Sequence, residues 1–357
     1  LCIFIYLVTV YIIVYNSNVS RKAFLVISVI SLFLLSSLRD ISMGADAENY
    51  LLAFKTIGAR GTYYMEKGYV LYNRLIGKIT NNYSLMITAN CLLFYIPLYK
   101  YLKNTVDEGN WPMCIFIVFL QPYIFLQTTF NVMRQACAVG ILLIGMLYYS
   151  KHEKEAKGII LFSVAAIVAA QFHRSAYFAL IIPLLRFVNW TVKKWRVALL
   201  ISILLNVMNV SGLVRFFAQL AGFNKYFNYR SSLLNNPLYL LLVVIFVVAI
   251  TSKYDELKET TMSKQVLDLY IFSLVFLVFA VSNDMIYRVY IMLAILSLPA
   301  VPVALGGMTT IKVSVGNNKF NAFRIILMLY YVSFFFGYIL YLSRSGNAAY
   351  IPYRFCF

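Results

Sequence analysis

Apolar runs close to twenty residues long recur along nearly the whole chain, broken only by short polar stretches. A run of that length, coiled as a helix, matches the hydrocarbon thickness of a bilayer, and a helix satisfies its own backbone groups where no water is present. The expected fold class is therefore all-α, a polytopic integral membrane protein with about twelve transmembrane helices. The spans are expected near 1–16, 20–38, 84–102, 112–129, 131–150, 157–172, 175–189, 196–212, 237–252, 266–283, 285–305 and 322–342. With 62% hydrophobic and 12% charged residues among 357, nothing is left over for a soluble domain, so residues 1–357 are read as a single transmembrane domain. The first run, LCIFIYLVTVYIIVY, lacks a following small-residue cleavage site and is read as a retained span. The break at 129–131 is compatible with one bent element around Pro122.

The net charge of +18 is carried by small basic groups between apolar runs, the pattern of loops facing phospholipid headgroups, and this argues against nucleic acid as a partner. Threading the spans places SRK, KYLK, KHEKEAK, RFVNWTVKKWR and KYDELK on one side, which the positive-inside rule makes cytoplasmic. The opposite face receives the long segments 39–84 and 213–236, expected to be periplasmic or interfacial, and the turns that hold Arg134, Arg174 and Arg288. Five cysteines without paired spacing point to packing, with no disulfide and no metal site expected.

Isolated arginines where apolar runs begin are costly unless they meet a partner or line an aqueous cavity, so the outer face carries the functional candidates. FNVMRQACAVGILL sets Arg134 and Gln135 in the first turns of an apolar helix among neutral neighbours, a place that an anion from elsewhere would suit. In AAQFHRSAYFALIIPLL both flanking apolar segments are short for a bilayer, so His173, Arg174 and Ser175 are expected below the outer surface, where a neutral imidazole can accept a proton. SNDMIYRVYIMLAIL spaces Asp284 and Arg288 for a helical ion pair. In the outer segment 39–84, GADAENYLLAF reads as a Gly turn and an Asp46 N-cap before a helix, and MEKGYVLYNRLIGKI as a second short amphipathic helix. Asp46 and Glu48, two apart, diverge on a helix and make a poor metal pair.

In chain order, RDISMGADAENY, MEKGYVLYNRLI, FNVMRQACAVGILL, FHRSAYFALIIPL and YIPYRF together resemble the EpsG and Wzy group of bacterial polysaccharide polymerases. The resemblance implies a glycosyltransferase of the GT-C type, related to the O-antigen ligases and set in the bacterial inner membrane. Its substrates would be undecaprenyl-pyrophosphate-linked oligosaccharides, joined on the periplasmic face in O-antigen or exopolysaccharide synthesis. No nucleotide sugar, metal or other cofactor is implied. Membrane lipids and a chain-length regulator protein are the expected further partners. Transfer from a lipid pyrophosphate needs stabilisation of a departing anion, a task suited to guanidinium groups. On that expectation Arg39, Arg134, Arg174 and Arg288 surround the pyrophosphate, with Arg354 as a further candidate. His173 would accept the acceptor's proton, with Asp46 and Glu66 as rivals, and Gln135, Ser175 and Tyr50 would position oxygens. A lipid-linked oligosaccharide flippase and a membrane O-acyltransferase are the competing readings.

Overall fold

A computed structural model describes residues 21–60, 65–152, 155–208, 237–260, 264–280, 284–307, 312–315, 318–321 and 353–356, with short pieces between 329 and 340. The expected first span at 1–16, the segment 213–236 and most of the span at 322–342 lie outside the described residues. The chain divides into two compact units, residues 1–177 with 326–357, and residues 178–325.

The first unit holds α1 (Arg21–Ser37), α2 (Ala47–Arg60), α3 (Lys67–Ile79), α4 (Tyr83–Thr105), α5 (Trp111–Leu120), a π-helical stretch (Tyr123–Asn131), α6 (Met133–Lys151) and α7 (Ala156–Ala170). A 3₁₀ stretch, Arg174–Ile181, begins here. The longest helix, α4, starts cleanly because the Asn82 side chain accepts the Ser84 N–H at 2.8 Å, filling one of the orphan donors of the first turn. It packs along α6, α6 packs along α7, and α1 lies against α4 and α5, while α2 pairs with α3. The chain reverses between these helices, so the end of α1 and the starts of α4 and α6 come together at one end of the unit. Tyr83 there reaches the Ala47 carbonyl at 3.4 Å. At the opposite end Lys22 faces Glu108 at 3.6 Å, among the loops expected to be cytoplasmic.

Helix α4 and helix α6 are long and apolar enough to cross a membrane, and α5 with the π stretch makes a third if the pair, bent by 73°, is one span. The described residues thus give two or three clear spans, and do not establish about twelve or a GT-C fold. Several expected spans are shorter apolar helices, among them Ala156–Ala170, Arg174–Leu185, Leu240–Ser252 and Ile286–Leu296, and two runs are interrupted locally. The run at 112–129 bends around Pro122, as one bent element would, and a second break at Val132 follows the π stretch. The run at 285–305 is divided around Pro299 into α13 (Asp284–Leu296) and α14 (Ala300–Gly307).

In the second unit, α8 (Ile182–Leu185), α9 (Val192–Val207), α10 (Pro237–Ser252), α11 (Tyr254–Thr260), α12 (Lys264–Ala280), α13 and α14 build a helical packing centred on α12. Two side chains of α9 tie it to α12 backbone: the Ser202 hydroxyl donates to the Val275 carbonyl at 2.6 Å and the Asn206 amide to that of Val278 at 2.7 Å. One departure from an all-helical chain is the antiparallel pair β1 (Lys312–Val315) and β2 (Asn318–Asn321), in register Val313 to Phe320, where the sequence reading had only a loop.

Candidate functional site

Arg134 owes its position to a broken helix. Helix α5 cannot continue through Pro122, and the chain turns into the wider π coil, whose freed carbonyls are met by hydroxyls: Thr128 donates to Tyr123 O at 2.9 Å and Thr129 to Phe125 O at 2.5 Å. Val132 ends that coil, and α6 begins at Met133, with Arg134 and the fully buried Gln135 in its first turn.

The loop after α1 folds onto this junction. Gly44 has φ +115°, and a Cβ there would stand 2.5 Å from the Phe130 carbonyl oxygen, so only glycine fits the turn and the approach together. Ala47 N–H closes the turn on Gly44 O, and α2 begins directly after Asp46, as the sequence predicts. The Asp46 N–H donates to the Asn131 side chain at 2.8 Å, pinning the start of α2 to the start of α6. Among the described residues the Asp46 carboxylate has no hydrogen-bond partner. One turn later, Tyr50 is buried with its hydroxyl accepting from Arg134 Nε at 3.4 Å. Burial pushes the Tyr50 hydroxyl above its usual pKa and Arg134 pulls it back, so it stays a neutral phenol near pH 7.

Glu66 completes the group from the other side. It stands at the N-cap position of α3, but its side chain makes no cap; the carboxylate forms an ion pair with Arg134 and also accepts the Arg174 backbone N–H at 3.3 Å. Two residues on, Gly68 lets α3 press against the end of α7: a Cβ would meet Gln171 Cβ at 2.6 Å, and the Tyr69 N–H donates to Gln171 O at 3.0 Å. The chain then leads through the mostly buried His173, whose Nδ1 lies 2.6 Å from the Ser175 hydroxyl. If Nδ1 carries the proton and donates to Ser175, Nε2 is left as a proton acceptor. Tyr50, Tyr69, Tyr72 and Phe172 form a chain of ring contacts at 5.8–6.4 Å behind the ion pair.

The expected arginines meet different kinds of partner. Arg39, 1% exposed, donates to the carbonyls of Ser36 and Phe130 and to Met133 Sδ, with its guanidinium 4.8 Å from the Phe130 ring centre. Its backbone bridges to Phe355 in the YIPYRF tail. Arg354 runs alongside, its carbonyl accepting the Asp40 N–H at 2.8 Å, and its charge faces Asp40. Arg174 reaches Glu66 through its backbone and has an exposed side chain. Arg288 belongs to the second unit, and the side chain of Asp284, its expected partner, is outside the described residues. The site residues that converge are therefore Asp46, Tyr50, Glu66, Arg134, Arg174, His173 and Ser175, with Gln135 buried beneath.

Sequence reasoning gave no site role to Asn131, Gln171 and Tyr69, which carry hydrogen bonds that lock the segments together. Asn131 and Gln171 each stand within four residues of a chosen arginine, polar residues at the ends of apolar runs, and that was their available signal. Among the described residues no three His, Cys, Asp or Glu side chains could hold a metal ion together.

The sequence pattern of the EpsG family matches residues 22–355 of the chain. No curated protein and no solved structure matches it.

Proposed function

This chain belongs to the EpsG family, the family of Wzy-type polysaccharide polymerases, and from that premise we propose that it joins undecaprenyl-pyrophosphate-linked oligosaccharide repeat units on the periplasmic face of a bacterial inner membrane. The observation that carries this reading is that five sequence segments, spread from residue 39 to residue 355, meet at one end of one unit. An acceptor hydroxyl oxygen attacks the anomeric carbon of the donor glycan, the bond from that carbon to the pyrophosphate oxygen breaks, and undecaprenyl pyrophosphate leaves. Arg134 and the Arg174 segment bind the leaving pyrophosphate, Tyr50 holds the Arg134 guanidinium, and His173, oriented by Ser175, takes the proton from the attacking hydroxyl. The reaction uses neither a nucleotide sugar nor a metal. Arg39 and Arg354 serve this arrangement by joining the tail to the loop before α2.

Purified protein in nanodiscs, given lipid-linked repeat units and no other acceptor, tests the reading. A ladder of lengthened glycans on a gel is the expected result. Movement of the lipid-linked units across a vesicle membrane without new glycosidic bonds would replace the polymerase reading by a flippase.

A further inference from the structure

The place where Arg134 should receive a phosphate group is already filled by a carboxylate of the chain itself. Glu66 and Arg134 are both largely buried, with side chains 12% and 20% exposed, so each keeps the other from standing as an uncompensated charge in a poorly solvated place. One Glu66 oxygen takes the guanidinium and the other accepts the Arg174 N–H at 3.3 Å, a two-point grip that imitates two oxygens of one phosphate. We propose that Glu66 is a resident stand-in anion, which holds Arg134 ready and must give way before the pyrophosphate of the donor can bind. This deepens the function proposed above and rests on it.

Three features make the exchange physically reasonable. Pyrophosphate brings more charge and more acceptor oxygens than a single carboxylate, so it competes well for a guanidinium and a backbone N–H. The displaced carboxylate would be repelled by the arriving anion, which keeps the two states distinct. Glu66 sits at the N-cap position of α3 without capping it, in extended backbone geometry (φ −62°, ψ 141°), so a side-chain rotation can turn its carboxylate toward the first turn of α3. Meanwhile the Arg134 Nε contact with the Tyr50 hydroxyl does not depend on Glu66 and keeps the guanidinium in place. Glu66 is then a positioning residue, and its removal strengthens ligand binding where loss of a merely structural residue weakens it.

The test titrates inorganic pyrophosphate and farnesyl pyrophosphate into nanodisc-embedded wild type, Glu66→Gln, Glu66→Asp and Glu48→Gln. Glu66→Gln is expected to tighten pyrophosphate binding on the order of tenfold, because the amide keeps the shape and gives up the competing charge. Glu66→Asp, which keeps the charge but shortens its reach, should fall between, and it carries the test if the Gln variant fails to fold. Glu48→Gln removes an exposed acid from α2 and should stay within about twofold of wild type. A gain confined to the farnesyl compound assigns the seat to a lipid-borne pyrophosphate, and a gain with both supports the same exchange at the shared group. Binding by both Glu66 variants that is equal to or weaker than wild type overturns the proposal, as does the absence of pyrophosphate binding in every variant. A missing glycan ladder alongside an intact affinity gain would remove the polymerase reading and leave the stand-in anion standing.

Discussion

Arg39 and Arg134 look alike in the sequence, each a lone cation at the edge of an apolar run, yet the structure places them in opposite kinds of surroundings. Arg39 is enclosed, with its guanidinium on two backbone carbonyls, a thioether and the face of Phe130. Arg134 meets a buried phenol and a carboxylate, and the carboxylate is a side-chain group that can move away. A cation held by backbone carbonyls is fixed by the fold itself, since Ser36 O belongs to the end of α1, where the helix dipole favours positive charge. A cation held by a carboxylate can exchange it for another anion. The comparison separates a strut from a binding group by the kind of partner, which neither burial nor charge alone would do.

The sharpest way to break that contrast is to remove each guanidinium. Arg134→Ala should lower glycan-ladder synthesis by about a hundredfold or more, the usual cost of losing one donor to a departing anion. It also leaves Glu66 without its counter-charge, so some loss of thermal stability should accompany it. Arg39→Met should act through folding: two carbonyls lose their donor, worth about 1–3 kcal/mol, and turnover per folded molecule should stay within about tenfold of wild type. Melting curves in detergent, set beside ladder assays normalised to folded protein, make the comparison. An Arg39→Met protein that melts like wild type but makes no ladder would place Arg39 in the reacting site and dissolve the distinction.

A smaller effect is expected one step from the ion pair. Ser175→Ala removes the hydroxyl that lies 2.6 Å from His173 Nδ1, and the lost hydrogen bond corresponds to about tenfold in rate. The loss should fall on kcat with KM unchanged, since the substitution touches the proton acceptor and not the pyrophosphate seat. Unaltered kcat would transfer the proton-accepting role to Asp46. Beside this, Gly44→Ala tests the scaffold that both arginines share. The added Cβ collides with the Phe130 carbonyl at a backbone angle that L-residues avoid, which should cost about 1–3 kcal/mol. Ladder synthesis should fall only in step with the folded fraction.

How much of this could be read from the chain depends on the distance over which each feature is decided. Helix α2 starting after Asp46, helix α3 after Glu66, and the starts of α4 and α6 follow from turn residues and apolar runs, all local signals. The π stretch was not legible, because its cause is the balance between a Pro122 break and hydroxyls that donate to the freed carbonyls, which apolar counting ignores. The expectation that an anion from elsewhere would suit Arg134 pointed at the right electrostatics. It had no means of naming Glu66, 68 residues away, because pairing across that separation is set by how α3 packs against the end of α7, and only Gly68 hints at that contact. The partners of Arg39 were hidden for the mirror reason: a cation and an apolar neighbourhood look the same whether carbonyls or solvent complete the shell.

The gentlest probe of the comparison lies in the acid beside the strut. Asp40 accepts from both the hydroxyl and the N–H of Ser42, and these hydrogen bonds, with the charge of Arg354 adding to them, hold its carboxyl below the usual aspartate range. A carboxylate whose folded pKa is depressed contributes stability that is fully present above its unfolded value, near 4, and is lost as the pH falls through the lower folded value. Asp40→Asn should therefore lower the melting temperature slightly at pH 7 and leave it unchanged in strong acid, where both proteins carry a neutral side chain. The group is partly exposed, so solvent screening keeps the difference small. Because Asp40 anchors the loop to the tail and stands outside the ion pair of Arg134, ladder synthesis at pH 7 should follow the folded fraction. A drop in turnover beyond it would mean that the tail senses the reacting site, and that strut and binding group act as one device.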